Sequence, residues 1–145
     1  GLTFELIISK SLPTLKEDFS PLAAQPVSNL SEQVMVKDNK DRHILCTSSR
    51  FYPEHINITW KKWTQNDRHF REFSKNITTD HIVKNEDGTF NITSHLRLKP
   101  SLEDNGTIYQ CVVWHVSLPT IQSLDFQLIL HPGKHLPGHF PYSSF

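Results

Sequence analysis

The sequence predicts an all-β fold, a sandwich of seven antiparallel strands in two sheets. Three observations lead there. Apolar and polar residues alternate with period two in several runs, and turn residues separate the runs. No long helix pattern interrupts them, and there is no internal repeat. Two cysteines, Cys46 and Cys111, bracket Trp60 at a spacing that suits two facing sheets.

Along the chain, Thr3 to Ile8 reads as a short strand. Pro13, Pro21 and Pro26 then punctuate a stretch without a steady period. Residues 1–25 are therefore expected to be a linker or the remnant of a preceding domain. His43 to Cys46 opens the regular part, and Ile56 to Trp60 alternates apolar with polar. Asn85-Glu-Asp-Gly88 is a strong turn signal. It launches the longest run, Thr89 to Leu98. Phe90, Ile92, Ser94, Leu96 and Leu98 fall on one face, and Asn91, Thr93, His95 and Arg97 on the other. Ile108 to His115 and Leu124 to Leu130 supply two more strands. The domain is expected over 26–131. Residues 132–145, rich in proline and glycine, read as a stalk or disordered tail.

Cys46 and Cys111 lie 65 positions apart, and Trp60 follows the first by 14. That is the spacing of an immunoglobulin sandwich. Its sheets pack about 10 Å apart. A disulfide bridges them only where inward side chains face each other, and a tryptophan covers the sulfurs. In the chain-entropy account, a loop of this length makes the bond worth about 4 kcal/mol. Tyr109 sits two before Cys111, the tyrosine-corner position, behind the turn Asp104-Asn-Gly106. One extra residue separates Gly106 from Tyr109 relative to the common variable-type pattern. Tyr109-x-Cys111-x-Val113-x-His115 matches the constant-set signature, aromatic-x-Cys-x-Val/Ala-x-His. Arg50-Phe-Tyr-Pro53 resembles that set's Gly-Phe-Tyr-Pro turn, with arginine replacing glycine. The resemblance covers roughly Val27 to His131 and implies an immunoglobulin-like constant-type sandwich with Trp60, Tyr109 and His115 as core residues.

Phe51 to Trp60, Lys84 to Thr93 and Glu103 to Val113 also resemble the membrane-proximal domain of the butyrophilin-like costimulatory ligands, natural cytotoxicity receptor ligands among them. The resemblance implies the extracellular part of a cell-surface immune ligand that presents a receptor-binding variable domain to lymphocyte (natural killer) receptors. A soluble decoy isoform and an antigen-presentation accessory module are the alternatives. The receptor contact is expected in a variable domain absent from these residues, so no contact residue is carried over. The resemblance also implies a membrane anchor in the parent protein; no run of 18 apolar residues occurs in this sequence.

Composition agrees with an extracellular binding module. Lysine plus arginine equals aspartate plus glutamate, 15 each, so no basic field attracts nucleic acid or an acidic membrane surface. Five sequons place potential glycans at Asn29, Asn57, Asn76, Asn91 and Asn105, which points to the secretory pathway, at the cell surface or secreted. An even cysteine count fits one disulfide there. No cofactor is expected. His131, His135 and His139 recur every four residues, but Pro132, Gly133, Pro137 and Gly138 break any helix that would gather them on a metal. No nucleophile elbow, phosphate loop or paired-carboxylate motif appears, and both cysteines are used in the disulfide, so an enzyme is not expected. His115 is expected inside, a satisfied core histidine. Strand alternation instead turns Trp63, Val112 and Trp114 outward on one sheet, a candidate interaction patch.

Overall fold

A computed structural model describes residues 2–10, 23–33 and 41–132. The described residues form β1 (Leu2–Lys10), β2 (Val27–Gln33), β3 (Arg42–Phe51), β4 (Ile56–Trp63), β5 (Arg71–Phe73), β6 (Ile77–Thr79), β7 (Val83–Lys84), β8 (Phe90–Leu98), β9 (Ile108–His115) and β10 (Gln122–Pro132). One sheet has the order β1-β10-β9-β4-β5, the other β2-β3-β8-β6, with β7 also paired to β8. Every strand pair is antiparallel. The seven strands of a constant-type sandwich are present: β2, β3, β8 and β6 face β10, β9 and β4. β1, β5 and β7 are additions at the sheet margins.

Alternation decides what lies between the sheets. On β8, Ile92, Ser94 and Leu96 are buried, as the period of the run predicts. Leu96 joins Ile44 and Cys46 from β3 and Leu124, Phe126 and Leu128 from β10, with Trp60, Tyr109, Cys111 and Val113 completing the cluster. Burying side chains of this size is worth roughly 1.5–3 kcal/mol each, so this cluster dominates the favourable side of folding.

The strand expected at Thr3–Ile8 runs from Leu2 to Lys10 and pairs along β10, from Leu2 opposite Pro132 to Lys10 opposite Leu124. Phe4 and Leu6 pack against the core, whereas Leu2, Ile7 and Ile8 are exposed. Of the tail expected over 132–145, Pro132 is the last residue of β10 and the rest lies outside the described residues, as does the stretch between β1 and Ala23.

Two local features shape the ends. The β3–β8 register shifts between Ser48 and Phe51, the signature of a bulge. Arg50 sits in it at φ 59, the left-handed region where glycine is the easy residue. Its N–H donates to Asn91 Oδ1 at 2.9 Å. The Asn85–Thr89 turn forms as its sequence dictates. Gly88 at φ 87 donates its N–H to Asn85 O at 3.0 Å, and Asp87 accepts from Thr89 N–H at 2.9 Å. The Thr89 hydroxyl and amide together hold the Asp87 carboxyl below the ordinary carboxylate range.

Candidate functional site

The centre is built around the disulfide. Cys46 on β3 and Cys111 on β9 are bonded, with Cα atoms 6.6 Å apart. Trp60 on β4 lies directly across from Cys111 and is 1% exposed. Its Nε1–H donates to Ser94 Oγ at 2.9 Å, and Ser94 Oγ also meets Thr79 Oγ1 at 2.9 Å. The polar atom of a buried indole needs such a partner. Tyr109 stacks on Phe126 at 5.1 Å and meets Phe73 edge-on at 5.9 Å. Burial, then the Asp104 charge, pushes its phenol up to about 12. Among the described residues its hydroxyl makes no hydrogen bond, so ring packing and not a corner bond holds it.

His115 is fully buried, and its tautomer follows from its partners. Ser117 N–H donates to Nδ1 at 3.1 Å, which makes Nε2 the protonated nitrogen, and Nε2–H donates to Pro53 O at 2.7 Å. Phe51 packs edge-on against the ring at 5.4 Å. The imidazole thus ties the β3–β4 turn, which contains the cis Tyr52–Pro53 bond, to the β9–β10 turn. Gln25 Nε2–H reaches Ser117 O at 3.2 Å, so residues just before β2 dock on the same end. Nearby, Ser28 Oγ bonds Ser48 Oγ at 2.7 Å and Gln122 Oε1 at 2.6 Å, while Gln122 Nε2–H donates to Pro26 O. This buried polar set crosses between the sheets.

The outer face of the β1-β10-β9-β4-β5 sheet differs from the expected patch in two ways. Val112 is only 8% exposed, because Thr59 and Ser123 flank it on both neighbouring strands. Trp63 and Trp114 share that face but are not together. Trp114 pairs with Asn57 at one end of β4, whereas Trp63 pairs with Ile108 at the other, about 20 Å away at the ordinary rise of a strand. Trp63 is half-buried and Trp114 is 42% exposed. Alternation fixes the face of a side chain, not its height.

On the opposite sheet, His43 Nε2 meets His95 Nδ1 at 2.9 Å, and His95 Nε2 meets Asp80 Oδ2 at 2.9 Å. Burial above all, then Arg97 and His95, holds the His43 pKa below 6.5. Asn91 is half-buried on this face, and its Oδ1 accepts from both Arg50 N–H and Asn85 Nδ2–H. The other sequon asparagines, Asn29, Asn57, Asn76 and Asn105, are exposed. Asn76 adopts φ 65, a conformation asparagine tolerates better than most residues.

A family model described as the immunoglobulin C1-set domain matches residues 27–118. The chain belongs to the immunoglobulin C1-set family. The matched range runs from β2 through β9 and takes in Cys46, Trp60, Tyr109, Cys111 and His115. The chain is 51% identical over 108 residues to human natural cytotoxicity triggering receptor 3 ligand 1, covering 74% of this chain and 24% of that protein. It is 32% identical over 79 residues to mouse tyrosine-protein phosphatase non-receptor type substrate 1, covering 54% of this chain and 14% of that protein. It is 31% identical over 97 residues to the class II histocompatibility antigen beta-1 chain of Spalax ehrenbergi, covering 67% and 34%. The chain thus spans well under half the length of each of these relatives.

As a C1-set domain, the molecule offers surfaces more than a reaction centre. Among the described residues, no three histidine, cysteine, aspartate or glutamate side chains are placed to hold a metal ion. His131 bonds Glu5 Oε2 at 3.0 Å, and His135 and His139 lie outside the described residues. A hollow of about 460 Å³ opens beside Lys62, Phe73, Arg97, Asp104 and Tyr109. Its lining includes two carboxylates, Asp41 and Asp104, among lysine and arginine side chains, and no serine, threonine, cysteine or histidine. Sequence reasoning missed the Ser28–Ser48–Gln122 set and the His43–His95 pair. The first carried a signal, since Ser48 lies at the inward parity of Cys46.

Proposed function

We propose that this chain is the constant domain of an extracellular immune ligand, which holds a receptor-binding module away from the membrane and engages lymphocyte receptors through that module. The 51% identity over 74% of the chain with human natural cytotoxicity triggering receptor 3 ligand 1 carries this reading. The architecture supports it. A disulfide-braced sandwich is rigid, residues 24–28 are tied to its β9–β10 end, and its five sequons suit the secretory pathway. The site is the cell surface, or the extracellular medium for a soluble form.

A domain exchange tests this. The matched segment of the human ligand is replaced by this chain and displayed on cells that face receptor-bearing reporter cells. Signalling at the level of the unmodified ligand is expected. Correct surface display with no signalling would overturn the spacer role.

A further inference from the structure

We infer that the Asn57 sequon carries a glycan whose first sugar seats on Trp114, so that this corner of the sheet is covered by the chain's own carbohydrate. The inference rests on the secretory reading above and adds the occupant of a surface that reading leaves bare. Asn57 and Trp114 are direct partners across the antiparallel β4–β9 pair. Directly opposed residues share a face, with Cβ atoms about 5 Å apart. Both are exposed, and the Asn57 side chain makes no hydrogen bond among the described residues. Asn91 and Asn105 differ, because their Oδ1 atoms accept backbone N–H groups. Thr59, which completes the sequon, lies two positions along β4 on the same face.

Trp114 cannot turn inward. Val113 and His115 on either side are both fully buried, so alternation holds the indole out. The His55 ring stands at a steep angle to it, 5.7 Å away, and Val116 and Ile121 nearby are 63% and 50% exposed. The result is a small apolar corner beside a free asparagine amide. The C–H face of an N-acetylglucosamine ring is apolar, close to an indole in width, and carries the slight positive charge that an indole face attracts. Attachment at Asn57 removes the cost of bringing the two together, because the sugar is tethered one side-chain length from the ring.

The test uses the full chain secreted from mammalian cells, with Asn57→Gln, Trp114→Ser and the double variant. Site occupancy is read by mass spectrometry after enzymatic deglycosylation, and indole accessibility by acrylamide quenching. The expected result is an occupied Asn57 and roughly two-fold weaker quenching of the accessible indole than in Asn57→Gln. The glycan should also raise the melting midpoint by roughly 3–6 °C, and Trp114→Ser should abolish that gain. Protection should survive trimming to the first sugar. An empty Asn57 beside occupied Asn29, Asn76 or Asn105 would overturn this inference and leave the secretory reading intact. An occupied Asn57 with unchanged quenching and no Trp114-dependent shift would do the same. Five empty sequons would overturn both.

Discussion

Replacing Arg50 by glycine should stabilise the domain, although it deletes a side chain and an ion pair. Arg50 sits at φ 59 in the β3 bulge. An L-residue held there costs roughly 1–2 kcal/mol relative to its preferred regions. Glycine removes that cost but returns roughly 0.5–1 kcal/mol through its freer unfolded chain. The Arg50–Asp87 pair, 3.5 Å apart with the arginine side chain 74% exposed, adds little. The net gain is centred on about 0.75 kcal/mol, within roughly 0–1.5 kcal/mol. For a domain near 100 residues the central value raises the melting midpoint by roughly 3–6 °C. Arg50→Ala is the control, since it loses the same ion pair and keeps the strain. The Arg50 N–H bond to Asn91 survives in both. Thermal unfolding of the three proteins at matched glycosylation decides the matter. Equal midpoints for glycine and alanine, or a fall with glycine, would refute the reasoning.

Other consequences can be measured directly. Thiol labelling of the unreduced chain should find no free thiol, and replacing Cys46 and Cys111 by alanine should cost about 4 kcal/mol in urea unfolding. Ser94→Ala strands the Trp60 indole N–H and should cost about 1–3 kcal/mol, visible as a lower midpoint with a near-native fluorescence maximum. The folded domain keeps His43 neutral where the unfolded chain takes up its proton, near pH 6.5. Unfolding therefore binds a proton. Stability is full above that pH, declines as pH falls below it, and levels off once pH passes the lowered folded value. His43→Gln should flatten this decline in urea titrations between about pH 7 and 5.

Several of these features were open to reading from the chain, and the physical reason differs for each. The β8 core face was legible because Phe90 to Leu98 alternates without a break. Its polar member, Ser94, marked a hydrogen bond whose partner alternation does not name. Arg50 was legible as a departure, since arginine stands where the related turn has glycine, and the positive φ supplies the reason. The tryptophan patch was legible only in part. Parity put Trp63 and Trp114 on one face, but the register that separates them is set by pairing across the sheet. Val112 shows the same gap, since its cover comes from Thr59 and Ser123 on the neighbouring strands. The His43–His95 contact spans 52 positions and depends on the β3–β8 register, which no local pattern encodes.

The most direct test is the binding of this chain alone to the ectodomain of natural cytotoxicity triggering receptor 3, the receptor in the name of its human relative. Purified glycosylated chain is passed over immobilised receptor, with the complete human ligand as the positive control. A constant domain that only presents another module gives signal at background while the control binds. Saturable binding by this chain would contradict the account and place a receptor site on the C1-set domain itself.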